Sequence, residues 1–259
     1  MKYIVISEAN TASKNIGLFI LEKSLPKDTK IIKTKHGVLE LETDLQKIKP
    51  KDAEIVIVAS THKSEAKIPM LNAHFTGNFG DDVSHGGSPR NLSIAPALYQ
   101  RTAVLEYAKL QAADGRLKGY QVGIEATHHG PTLDLPILFV EVGSSEEQWN
   151  DMVACEAAAK VIMKLVSVEP KKAPIIVGFG GGHYCPQFTK KLFDDGFAFG
   201  HICPKYAADS LSEDVILQLV NKTLPMPEKV FVEHKGLSGE QRKNIISVLE
   251  NHKIMWEKV

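Results

Sequence analysis

Apolar and polar positions along this chain alternate between short β-type runs and helical periods. Tyr3-Ile-Val-Ile6 reads as a first strand, and Asn10 or Thr11 caps a helix whose Ala12, Ile16, Phe19 and Ile20 share a face. Ile31-Ile32 and Val38 to Leu41 suggest two short strands, and Glu54-Ile-Val-Ile-Val-Ala-Ser60 a buried one. From Lys63 to Leu92 the regularity stops, and Gly, Asn, Ser, Asp and Pro crowd the chain. A loop of that length in a compact domain is either functional or disordered. Its phrase Asn72-Ala-His-Phe-Thr-Gly-Asn78 mixes aromatic, polar and glycine residues, which suits an ordered binding loop.

Periodicity returns at Ser93, with Pro96 in a first helical turn and Ala97, Val104, Leu105 and Ala108 along one face. Tyr120 to Ala126 and Pro136 to Val142 are strands. Ser145 with Gln148 forms a capping box that opens a helix from about Glu146 to Val166. Thereafter strands at Ile175 to Phe179, Phe197 to Ile202, Val230 to His234 and Ile254 to Trp256 alternate with helices at Gln187 to Phe193, Glu213 to Leu219 and Glu240 to Leu249. This order predicts an α/β fold: a largely parallel sheet with helices on both faces.

The 259 residues fit a single domain, with residues 1–50 as an N-terminal part and 51–259 as a core carrying the 63–92 loop. Three cysteines give no disulfide framework and fit a reducing compartment. No run of eighteen apolar residues occurs, so a cytoplasmic protein without membrane contact is expected. Lysine plus arginine and aspartate plus glutamate both number 31. A net charge of zero argues against a DNA binder and leaves any RNA contact to a local patch.

Histidines fall at or just past the predicted strand ends: His62, His128 or His129, His183, His201 and His234, with Glu141 ending its own strand. In open α/β sheets, ligands bind beyond those carboxyl ends, so an active-site rim is expected. Glu125-Ala-Thr-His128-His129 brings a carboxylate and two imidazoles within five residues. Neutral imidazole binds Zn²⁺, and a carboxylate beside it ligates or acts as base. The plain alternative is a pair of turn histidines bonded to backbone. Gly180-Gly181-Gly182 before His183 offers backbone N–H groups to a phosphate, a carboxylate or a developing oxyanion, or is simply a flexible turn.

The echo of Gly182-His-Tyr-Cys-Pro186 in Gly200-His-Ile-Cys-Pro204 raises a His₂Cys₂ zinc site, against two small buried cysteines; Cys155 belongs to the core. His74 is a ligand, a general acid or a solvated loop residue, and His36, His85 and His252 read as surface. Lys205 either meets an oxyanion or phosphate or is solvated, and the same choice holds for Lys171-Lys172 and Lys190-Lys191 against RNA. The chain has no Gly-x-Ser-x-Gly elbow, P-loop or His-Glu-x-x-His motif, which removes the common serine hydrolases, P-loop enzymes and zinc proteases.

Six phrases together resemble the archaeal- and plant-type D-aminoacyl-tRNA deacylases. They are Ser60-Thr-His-Lys-Ser64, Leu71-Asn-Ala-His-Phe-Thr-Gly-Asn78, Glu125-Ala-Thr-His-His-Gly-Pro131, Glu141-Val-Gly-Ser-Ser-Glu-Glu-Gln-Trp149, Phe179-Gly-Gly-Gly-His-Tyr184 and Gly200-His-Ile202. Cys185 and Cys203 lie outside that pattern. The resemblance implies a three-layer α/β/α phosphorylase/hydrolase-like fold with a mixed, mostly parallel sheet and an N-terminal α+β part. It also implies zinc-dependent hydrolysis of the ester between a D-amino acid and the terminal ribose of tRNA.

On that footing one or two Zn²⁺ ions are expected on histidines drawn from His74, His128, His129 and His183. Glu125, His129 and Glu141 are then the catalytic set. His74, Asn78, Gly180 to Gly182 and Lys205 would contact the substrate, namely the terminal adenosine and acceptor end of D-aminoacyl-tRNA. The Asn72 to Asn78 loop is the expected wall that reads chirality. The expected assembly is a monomer or weak homodimer. The rival readings are a zinc amidohydrolase or peptidase, a nucleoside phosphorylase-like enzyme on a small substrate, and a non-catalytic tRNA-binding or metal-storage protein.

Overall fold

The computed structural model describes residues 1–37 and 40–259. The first half of the chain runs β1 (Lys2–Ser7), α1 (Thr11–Leu21), β2 (Thr29–Thr34), α2 (Leu41–Leu45), β3 (Ile55–Lys63), β4 (Met70–His74), β5 (Gly77–Asn78), β6 (Asn91–Leu92), β7 (Ala95–Pro96) and α3 (Ala97–Ala113). The second half runs β8 (Gln121–Ile124), β9 (Ile137–Ser144), α4 (Glu146–Trp149), α5 (Met152–Ser167), β10 (Ile175–Phe179), α6 (Pro186–Asp194), β11 (Ala198–Cys203), α7 (Glu213–Asn221), β12 (Thr223–Leu224), β13 (Lys229–Val232), α8 (Gly239–Asn251) and β14 (Trp256–Lys258).

The α/β class and the predominance of parallel pairing agree with the sequence reading, but the strands form two main sheets. One has six strands in the order β2-β1-β3-β9-β4-β8, and the other four in the order β11-β10-β13-β14. The four-stranded sheet is parallel throughout. In the larger sheet β4 runs antiparallel to β9 and parallel to β8, so two strands oppose the rest. The strands of residues 1–50 pair with β3 in this same sheet.

Alternation of side chains gives the six-stranded sheet two unlike faces. Ile4, Ile6, Ile57, Ala59, Leu71, Ala73, Val140 and Val142 point one way and pack on buried residues of α1, α3 and α5. Val5, Val56, Val58, Ile137 and Phe139 point the other way and meet Leu41 and Leu45 of α2. Further along this second face the same alternation brings up Ser60, His62, Asn72, His74 and Glu141, all buried yet polar. Burying such groups is unfavourable unless they are partnered or put to use.

Several expectations change. The stretch from Lys63 to Leu92 is not one loop, because β4 sits inside the sheet and Asn72 to Asn78 is buried from end to end. Pro96 ends β7 and is the N-cap of α3. The capping box is present, with Ser145 N–H donating to Gln148 Oε1 at 3.1 Å. Its helix is short, however, since Asp151 accepts from Val153 and Ala154 N–H and starts α5 afresh. Val38 and Leu39 lie outside the described residues, while Leu41, expected in a strand, opens α2.

After β8 the chain leaves the large sheet and passes between the two sheets. Ala126 N–H donates to His183 O at 2.8 Å and Thr127 N–H to Ile202 O at 3.0 Å. His201 secures the same passage from below, with one ring nitrogen 3.0 Å from Thr127 Oγ1 and the other 2.9 Å from Ser93 O. Gly130 closes the turn: a Cβ there would lie 2.3 Å from Gly87 N, so only glycine lets the 86–87 backbone seat against it. His129 is held at φ 44, in the left-handed region that non-glycine residues avoid. Backbone strain of this sort collects at functional sites.

Candidate active site

The register of the strands assembles the site. Ser60 pairs with Glu141 and Glu141 with Asn72, so β3, β9 and β4 present one polar row on the second face. His62 and His74 lie two residues further along their strands. Glu125, His128 and His129 arrive from the segment after β8, and His183 from the glycine turn after β10. Five imidazoles and two carboxylates thus meet in one place. The ring centroids of His74, His128 and His129 lie 4.1, 4.4 and 4.9 Å apart pairwise, and His128 lies 4.5 Å from His183.

Two groups with metal-ligand spacing overlap a third. One nitrogen each from His74, His128 and His129 lies within 4.8 Å of the others, as do the ligand atoms of His62, Glu125 and His183, and those of His74, Glu125 and Glu141. The tautomers follow from the backbone. His74 Nδ1 faces Phe75 O at 3.1 Å, His128 Nδ1 faces Ala126 O at 2.8 Å, and His129 Nδ1 faces Gly130 O at 2.5 Å. A carbonyl can only accept, so each Nδ1 carries the proton and each Nε2 keeps its lone pair. A ring N–H anchored on a carbonyl is the second-shell pattern of metal-binding histidine.

Burial is the main force on these groups. It lowers the pKa of His74 to about 4 and of His129 to about 3, and with the neighbouring imidazoles it holds His128 well below the ordinary range. All three are therefore neutral, which is the ligating form. Burial also raises Glu141 above the usual carboxylate range, against the pull of His62 and His129. For His183 burial disfavours the cation, but the carboxylate of Glu125 outweighs it and the net shift is upward.

Glu125 is the most connected carboxylate. Asn72 Nδ2 donates to its Oε1 at 2.6 Å, and His62 Nδ1 lies 3.1 Å from the same oxygen. Its Oε2 lies 3.4 Å from His183 Nε2 and 3.9 Å from His128 Nε2. Glu141 Oε2 stands 3.6 Å from His74 Nε2 and 3.8 Å from His62 Nδ1. His74 Nε2 and Glu125 Oε2 are buried and have no hydrogen-bond partner among the described residues. Orphaned lone pairs within one cluster, on neutral nitrogen and carboxylate oxygen, fit a divalent zinc-like ion.

Most residues singled out from the sequence meet here: Glu125, His128, His129, Glu141, His183 and His74. His74 is fully buried, with Nε2 turned to Glu141 and its ring against His128 and His129. Asn78 has a different role, because its amide donates to Gly86 O and Ser88 O and clasps the loop. Gly180 N–H is spent on Cys203 O, which leaves Gly181 and Gly182, with Lys205, on the wall of a pocket beside His183.

No His₂Cys₂ site forms among the described residues. His183 turns to Glu125, His201 is bonded inside the core, and burial pushes both the Cys185 and Cys203 thiols far up, away from the thiolate that zinc needs. His234 has no part in the cluster and lies exposed. Left without a catalytic or metal role in the sequence reading were His62, placed only on the rim and with Nε2 3.0 Å from Tyr184 OH, and Asn72, placed only in the chirality loop. The i, i+2 spacing of Asn72 and His74 is the signal that would have found the pair, once β4 is read as a strand.

The fold and the site together define an α/β enzyme with a buried, neutral, metal-competent histidine centre flanked by two carboxylates. Residues 49–257 match the family model described as D-aminoacyl-tRNA deacylase. A protein named D-aminoacyl-tRNA deacylase from Methanocaldococcus jannaschii is 35% identical and aligns over 100% of both chains. Another of that name from Methanosarcina barkeri is 42% identical over 77% of this chain, which spans 63% of that relative's length. The crystal structure of a conserved protein of unknown function superposes over 100% of this chain and 95% of its own with a TM-score of 0.88 at 26% identity. The chain belongs to the D-aminoacyl-tRNA deacylase family.

Proposed function

We propose that this chain hydrolyses the ester joining a D-amino acid to the terminal ribose of tRNA, with zinc as its metal and the cytoplasm as its setting. The observation that carries the reading is the trio of neutral imidazoles, each with Nδ1–H on a carbonyl, packed against two buried carboxylates. His74, His128 and His129 would hold the ion. His62, Glu125 and His183 are a second group of the same spacing. When bound, zinc supplies a Lewis acid that makes water acidic near neutral pH.

The protein's own groups do the rest. Glu141, beside the free nitrogen of His74, accepts the proton of the attacking water on Oε2 and returns it to the ribose oxygen as the ester breaks. Asn72 and His62 hold Glu125 in register, and Glu125 in turn fixes His183. His183, half-exposed at the edge of the cluster, stands where a ring N–H can meet the developing oxyanion.

The test is deacylation of D-tyrosyl-tRNA and L-tyrosyl-tRNA by zinc-replete protein. Release of the D-amino acid with the L-ester largely spared is the expected result. Equal release from both, or release from neither, contradicts the proposal.

A further inference from the structure

Beside the cluster lies a pocket of about 450 Å³ with Gly181, Gly182 and Gly236 on one side and Lys205, Tyr206 and Asp209 on the other. Its size falls in the range of about 300–1,000 Å³ typical of small-molecule sites. Tyr206 is 63% exposed, yet its hydroxyl reaches to 3.3 Å from His183 Nδ1. The ring therefore forms a free aromatic face that adjoins the reacting centre. Gln241 stiffens this wall by donating to Lys205 O at 3.1 Å and to Asp209 Oδ1 at 2.8 Å.

Glu233 lies behind the glycines at the end of β13. It is only 7% exposed. A Cβ on Gly236 would come within 2.6 Å of the Glu233 carboxylate, and one on Gly181 within 2.9 Å, so glycine at these positions lets it pack directly against the pocket wall. A glycine turn after one parallel strand, with an acid at the end of its neighbour, is a known way to hold a nucleoside ribose. Here those strands are β10 and β13, which are paired.

We propose that this pocket seats the terminal adenosine of the substrate. The Tyr206 ring stacks on the base, Lys205 meets the adjoining phosphate, and Glu233 accepts from the ribose hydroxyl left free by the ester. The inference rests on the hydrolytic reading above, since the ester carried by that ribose must then fall beside His183.

The test uses D-tyrosyl-tRNA as substrate and AMP as competitor and as ligand in calorimetry. AMP is expected to bind the wild-type protein at millimolar concentration or below and to compete with tRNA, and 2′-deoxy-AMP to do so more weakly. Tyr206→Ala is expected to raise KM and the Kd for AMP by about tenfold to a hundredfold, with kcat changing much less. Tyr206→Phe keeps the ring and is expected to restore both. Wild-type KM in Tyr206→Ala, or no AMP binding by the wild-type protein, overturns the pocket assignment. A wild-type enzyme that releases no D-tyrosine overturns the hydrolytic reading instead, and the calorimetric arm still decides whether the pocket takes the nucleotide.

Discussion

Glu141 and Asn72 face each other across β9 and β4, and their tasks differ. Glu141 adjoins the free nitrogen of His74, whereas Asn72 only holds Glu125. Replacing Glu141 with Gln removes the proton acceptor while keeping volume, and is expected to cut kcat by about 10²- to 10⁴-fold with zinc content retained. Replacing Asn72 with Ala frees Glu125 and is expected to cost about 10- to 100-fold in activity or zinc affinity. Steady-state kinetics with metal analysis on both variants checks the pair, and a Glu141→Gln enzyme at wild-type rate removes Glu141 from the chemistry. At this scale much was legible: Glu125, His128, His129 and His183 follow strand ends or begin turns, where side chains are free to converge, whereas Glu141, expected at a strand end, lies inside β9 and reaches the site by alternation. Asn72 was not legible, because an amide in a presumed loop carries no sign that its partner is a buried carboxylate.

Among the strands of the six-stranded sheet, β4 was the one hidden in the sequence. Met70-Leu-Asn-Ala-His74 places its two polar residues on the side that faces the site, so the apolar alternation is reduced to Leu71 and Ala73. A strand that serves chemistry on one face loses the very pattern that reveals strands. For the same reason the opposed direction of β4 and β8 could not be read, since the chain between them gives no periodic clue. The turn at His128-His129-Gly130 makes a prediction of its own. Gly130→Ala must displace the 86–87 backbone, which stands 2.3 Å from the added carbon. The histidine pair shifts with it, so activity is expected to fall by about 100-fold or more, misplacement of a ligand by an ångström being enough. Wild-type turnover in a folded Gly130→Ala protein contradicts this account of the turn.

Across the whole molecule the α/β class and the late strand–helix alternation were plain from the sequence, and its division into two sheets was not. Side-chain periodicity reports burial, not which strand pairs with which. The meeting of the sheets has a consequence for pH. His201 is fully buried between them, outside the cluster, and burial lowers its pKa from 6.5 to about 4. Between those values the unfolded chain binds a proton that the native protein does not, so stability falls as pH drops from 6.5 toward 4. The loss from this one residue is on the order of 3 kcal/mol once the fall is complete. Denaturant midpoints measured from pH 7.5 to 4.5 are expected to decline toward the acid end, with a flatter profile in His201→Gln; a midpoint independent of pH contradicts it.

The account stands on the buried imidazoles acting as one metal-holding, ester-cleaving centre. Its most direct test is zinc content measured on the same His129→Ala preparation used for D-tyrosyl-tRNA deacylation, beside the wild-type protein. The wild-type protein should carry zinc and release D-tyrosine, and the variant should lose both together while remaining folded. A folded His129→Ala protein that retains its zinc and its full rate would contradict the account.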